Sequence, residues 1–103
     1  MSERLEELKR FTLLMPDDPF PLYGLALEHR SEGNFPEAAA TFEQLMSRHP
    51  SYVPQYLMYG KLLAGELRDP QKAREVLQLG IEKAKQAGNR HALGELMSEL
   101  EGL

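Results

Sequence analysis

The chain has 103 residues, 42% hydrophobic and 27% charged, a length and balance that fit one small globular domain. A formal net charge of −4 argues against a nucleic-acid-binding module, which needs a basic patch, and no window reaches the ~18 apolar residues of a membrane span. Cysteine is absent, which excludes disulfides, thiolate metal sites and cysteine nucleophiles.

The opening Met-Ser-Glu-Arg-Leu-Glu-Glu carries acids where a signal peptide needs bases and then an apolar run. The expected compartment is therefore the cytoplasm. Sustained apolar-polar alternation is missing, and long stretches are rich in Leu, Ala, Glu, Lys and Gln, so the expected class is all-α.

Punctuation bounds the helices in chain order. The first runs from about Glu3 to Leu14, with Leu5, Leu8, Phe11 and Thr12 on one face, and Pro16 ends it. Asp17 or Asp18 caps the second, whose first turn tolerates Pro19 and Pro21; its apolar face is Leu22, Leu25, Ala26 and His29. Asn34 caps a third helix that runs to about Arg48 with Ala38, Ala39, Phe42, Leu45 and Met46 inward. Ser51 starts the fourth, in which Tyr56, Tyr59, Gly60 and Leu63 share a side. Asp69-Pro70 opens the fifth, which carries Ala73, Val76, Leu77, Gly80, Ile81 and Ala84 and stops at Gly88. Asn89 caps the last, with Leu93, Leu96, Met97 and Leu100. The short connections favour antiparallel neighbours.

Ala26, Gly60 and Gly94 stand 34 positions apart, each preceded by Leu25, Tyr59 or Leu93 and followed three places on by His29, Leu63 or Met97. Such a period marks a solenoid whose units bury their apolar faces against one another. A small residue recurring in one column implies a close approach of helix backbones there.

This pattern resembles the tetratricopeptide repeat, a helix-turn-helix unit of about 34 residues with the signature Trp, Leu, Gly, Tyr, Ala, Phe, Ala, Pro. The stretch 19–52 fills those columns with Leu22, Leu25, Ala26, His29, Ala38, Phe42, Leu45 and Pro50, and Gly33-Asn34-Phe35 looks like the family's Gly-Asp-Tyr turn. The stretch 53–87 supplies Tyr56, Tyr59, Gly60, Leu63, Ala73, Leu77 and Gly80; its later columns fall one residue late, which implies an extra residue near Gly65-Glu66-Leu67, and the closing proline is missing. Leu8, Phe11 and Pro16 match the second helix of a preceding unit, over 3–16. Arg90, Leu93, Gly94 and Met97 match a first helix, over 89–101, that caps the chain. The resemblance thus implies a right-handed antiparallel helix-pair solenoid: one domain over 1–103 with two full repeats and flanking half-repeats.

No constellation for catalysis emerges. His29, His49 and His91 are too scattered for a ligand set and no HExxH spacing exists, so no metal and no cofactor is expected. Gly60-Lys61 resembles part of a phosphate loop, yet Gln55 stands where the earlier glycine belongs and the pair lies inside a predicted helix. Asp17-Asp18 and Glu6-Glu7 are adjacent acids, which point different ways on a helix and read as caps or solvated surface. No serine sits in a Gly-x-Ser-x-Gly elbow.

What the resemblance implies instead is a surface. In this family set positions of each first helix line a concave face; here they are Phe20, Tyr23, Leu27, Arg30 and Ser31, then Pro54, Leu57, Lys61, Ala64 and Gly65, then His91, Glu95, Ser98 and Glu99. Tyr23, Leu27 and Leu57 supply apolar area that the packing columns do not need, rimmed by Arg30, Lys61 and Glu95. The expected function is a non-catalytic module that binds a protein or peptide partner through Phe20, Tyr23, Leu27, Arg30, Leu57, Lys61, His91 and Glu95, with neither nucleic acid nor membrane. Two alternatives stand beside it: the groove is shallow and these residues pack on adjacent helices, or the chain self-associates as a homodimer through the groove or its terminal helices. Family members that bind chaperone tails clamp a C-terminal carboxylate with Lys and Asn. Tyr23, Leu27 and Met58 occupy those places here, so carboxylate capture of that kind is not expected.

Overall fold

A computed structural model describes residues 2–103, and among them six α-helices and no strand form. They fall into two compact units, one ending at His49 and the other spanning Pro50–Leu103.

The first unit holds α1 (Glu3–Leu14), α2 (Pro19–Ser31) and α3 (Phe35–Arg48), with α1 packed on α2 and α2 on α3. Ser2 Oγ accepts the Leu5 N–H at 3.3 Å, and Glu3 and Glu6 place negative charge on the positive end of the α1 dipole. Of the two candidate acids, Asp18 is the α2 cap, accepting the Phe20 N–H at 2.9 Å, with Pro19 in the first turn. α2 closes through Gly33 at φ 79, which lets the Asn34 N–H reach the His29 carbonyl at 2.8 Å. Asn34 sits at the α3 cap position, but its side chain does not cap. The amide Nδ2 lies 3.3 Å from His29 Nδ1, and since an amide nitrogen only donates, that ring nitrogen accepts. This satisfies an imidazole that is only 8% exposed in an apolar column.

Leu5, Leu22, Leu25, Ala26, Ala38, Phe42 and Leu45 are buried. Phe11 departs from the expected α1 face: it is 41% exposed, because the side of α1 turned away from α2 has nothing described on it.

The second unit holds α4 (Pro54–Ala64), α5 (Pro70–Ala87) and α6 (Arg90–Glu101), and α4 touches both later helices. α4 begins at Pro54 and not at Ser51. A helix begun at Ser51 would need an N–H at position 54 for the Pro50 carbonyl, and proline has none. That carbonyl accepts the Tyr56 hydroxyl instead.

The extra residue between α4 and α5 is absorbed in 65–69, where the Leu67 N–H reaches the Leu62 carbonyl at 3.0 Å and the Asp69 N–H the Leu63 carbonyl at 2.7 Å. Arg68 takes the left-handed conformation at φ 51, as Gly33 does in the first unit. Asp69 caps α5 through Lys72 N–H at 3.1 Å, Gly88 ends it at φ 66, and Asn89 Oδ1 caps α6 through Ala92 N–H at 3.0 Å. Prolines occupy the first turn of each of α2, α3, α4 and α5, where a missing amide hydrogen costs nothing.

Close approach is real at Gly60, where a Cβ would stand 2.5 Å from Leu77 Cδ2, and at Gly80, where one would run into Tyr56 Cβ. At Gly94 it is not: a Cβ there would meet nothing within 4 Å. The small-residue column closes where a following helix covers it, and among the described residues no helix covers that side of α6.

Candidate partner-binding surfaces

Phe20, Tyr23, Leu27 and Arg30 recur at helical spacing and form one stripe along α2, beside the buried stripe of Leu22, Leu25, Ala26 and His29. Phe20 is 65% exposed, while Tyr23, Leu27 and Arg30 are half-buried. Burial pushes the Tyr23 phenol above its ordinary value, so the ring presents a neutral hydroxyl on an apolar body throughout the neutral range.

In the second unit Leu57, Lys61, His91 and Glu95 converge. They line an open cleft of about 540 Å³ together with Arg90, Gly94, Ser98 and Glu99. α4 contributes Leu57 and Lys61 and α6 the rest, each pair at i,i+4 on its own helix. His91 Nε2 lies 3.4 Å from Glu95 Oε1, an ion pair when the imidazole is protonated. The cleft therefore offers a half-buried leucine, two exposed cations in Lys61 and Arg90, and carboxylates in Glu95 and Glu99. It is a surface of mixed apolar and charged character.

Arg90 and Gly94 line this cleft although the repeat pattern assigns both to packing columns. Both lie on α6, where packing columns that no other described helix covers become surface. Among the described residues no group of three His, Cys, Asp or Glu side chains comes together as a metal site, and no helix is long and apolar enough to cross a membrane.

A scan against protein-family models and a search of curated proteins both return no match. Solved structures do match. A crystal structure of a tetratricopeptide repeat domain protein from Salinibacter ruber is 37% identical, over 81% of this chain and 92% of that one, with a TM-score of 0.75. A solution NMR structure of a tetratricopeptide repeat domain protein from Salinibacter ruber is also 37% identical, over 84% and 87%, with a TM-score of 0.78. A solution structure of a protein from Bordetella parapertussis shares the fold at a TM-score of 0.79, with 22% identity over 98% of this chain and 87% of that one. The helix-pair pattern, the Gly60–Leu77 approach and the identity to the Salinibacter ruber structures converge: the chain belongs to the tetratricopeptide-repeat family.

Proposed function

We propose that the chain is a non-catalytic protein-interaction module, and that the α4–α6 cleft takes a helix or extended segment of a partner protein. The observation that carries this is the convergence of Leu57, Lys61, His91 and Glu95 on one open cleft. A half-buried aliphatic contact rimmed by charges of both signs suits an amphipathic segment, whose apolar residue seats on Leu57 while its carboxylates meet Lys61 and Arg90. The α2 stripe of Phe20, Tyr23, Leu27 and Arg30 offers a second apolar contact, so the compact unit ending at His49 and the one spanning Pro50–Leu103 each carry one such surface.

The test is a peptide-display selection on the full chain, followed by calorimetry of the selected peptides. Enrichment of peptides combining apolar and acidic residues is expected. Leu57→Ser with Lys61→Glu should weaken them at least about tenfold, near 1.4 kcal/mol. Selected peptides whose affinity ignores both the cleft pair and Phe20→Ser would sink the reading.

A further inference from the structure

The first unit holds a concavity of its own, of about 430 Å³, where α1 meets the turn between α2 and α3. Leu5 and Lys9 line it from α1, His29 from α2, Glu32 and Asn34 from the turn, and Glu37 from α3. None of the six lines the α4–α6 cleft or belongs to the α2 stripe. Leu5 and His29 are 3% and 8% exposed and form the recessed end, while Glu32 and Glu37 stand exposed at the mouth. The volume falls in the range of small-ligand sites, roughly 300–1,000 Å³.

His29 sets what the recessed end requires. Its Nδ1 accepts from the Asn34 amide, so the proton of the ring is on Nε2. That N–H has no hydrogen-bond partner among the described residues, and the ring that carries it lines the cavity. A nearly buried donor with this one outlet calls for a small acceptor reaching inward. The mouth calls for the opposite charge. Lys9 Nζ lies 3.6 Å from Glu6 Oε1, whereas the carboxylates of Glu32 and Glu37 are in no ion pair or hydrogen bond among the described residues. A carboxylate entering here would be repelled by both, so the acceptor is a neutral carbonyl and the group beside it a cation. A planar, forked guanidinium can meet two carboxylates at once, which an ammonium does only as a point charge.

We propose that this concavity seats one arginine residue of a partner protein, its main-chain carbonyl accepting the His29 Nε2–H and its guanidinium held by Glu32 and Glu37. The site does not rest on the α4–α6 cleft, and its chemistry is the reverse. The cleft meets carboxylates with Lys61 and Arg90, and this concavity meets a cation with two carboxylates.

Two-dimensional NMR on the full chain tests this with N-acetyl-arginine amide, a single arginine residue blocked at both ends. Titrated to about 10 mM, it should shift the backbone amides of Leu5, His29, Glu32 and Glu37 and the His29 Nε2–H, with a Kd of about 1 mM. N-acetyl-citrulline amide, of the same shape without the charge, should bind at least about tenfold more weakly. Propylguanidine, which has the charge without the carbonyl, should bind about fivefold more weakly and leave the Nε2–H unmoved. Glu32→Gln with Glu37→Gln, both at exposed side chains, should weaken the blocked arginine at least about tenfold, and Leu57→Ser with Lys61→Glu should leave it unchanged. His29→Phe should erase the preference for blocked arginine over propylguanidine. If circular dichroism shows that this variant loosens, the wild-type preference and the Nε2–H shift decide the point. No binding at about 10 mM, equal binding of the citrulline form, or loss of binding in the Leu57/Lys61 pair would each overturn the proposal. Free arginine that binds as tightly as the blocked form would also overturn it, since the occupant would then be a free amino acid.

Discussion

The α2–α3 and α4–α5 hairpins solve one geometric problem with different residues. Both must reverse the chain through a left-handed residue; the first uses Gly33, at φ 79, and the second Arg68, at φ 51, in a loop two residues longer. Both must bring two helices together at a small-large pair of columns. The first holds Ala26 and Phe42 there, both 0% exposed, and the second holds Gly60 against Leu77. The difference teaches that the hairpin geometry is the fixed quantity. Residue identity adjusts around it, and where it adjusts poorly, as at Arg68, the fold carries a local cost that the first hairpin avoids.

The largest break in that comparison is Phe42→Ala, which empties a fully buried site and should cost about 3–5 kcal/mol in chemical denaturation. Gly60→Leu overpacks the other hairpin against Leu77 and should cost about 1–3 kcal/mol. Gly94→Leu, in the same column but with open space around it, should instead gain up to about 1 kcal/mol from helix propensity. Equal effects at Gly60 and Gly94 would remove the distinction between covered and uncovered columns.

Next in size is Tyr56→Phe, which leaves the Pro50 carbonyl without its hydroxyl partner and should cost about 0.5–1.5 kcal/mol. The same hydroxyl sets an alkaline signature. Burial raises the Tyr56 phenol above its ordinary value of 10.0, so the folded state holds that proton more tightly than the unfolded chain. Its contribution to stability is complete below pH 10.0 and is lost as pH rises through the folded value. Melting temperature followed above neutrality should fall more steeply in the wild type than in Tyr56→Phe.

The smallest pair exchanges the turn residues. Arg68→Gly should stabilise by roughly 0.5–1 kcal/mol by relieving the left-handed conformation, and Gly33→Ala should destabilise by roughly 1 kcal/mol for the mirror reason. If thermal melts move both variants in the same direction, the two turns are not equivalent.

The helix starts at Asp18-Pro19, Asp69-Pro70 and Asn89, and the stop at Gly88, were legible because caps, prolines and left-handed glycines act within one turn of chain. Two local expectations failed for competing bonds: Asn34 gives its amide to His29, and Pro54 denies α4 the start at Ser51. Gly94 and Phe11 mark a different limit. Periodicity assigns a residue to a column, but burial depends on whether another helix faces that column, which spacing does not encode. The same limit explains the cleft: Leu57, Lys61, His91 and Glu95 were found from the family's surface positions, whereas Arg90 and Gly94 join them only because their columns lie uncovered.

The prolines at the heads of α2, α3, α4 and α5 also bear on how a chain of look-alike units finds a single arrangement. Units built on one column pattern can align in more than one way, since a slipped pairing still sets apolar against apolar. A proline ring fits only at the start of a helix. Extending any of these helices backward by a turn would drive the ring into a preceding carbonyl and remove a hydrogen bond, at a cost of about 3 kcal/mol. Each ring therefore acts as a stop that fixes where one helix begins, and four such stops make misaligned pairings less stable without adding any contact to the correct one.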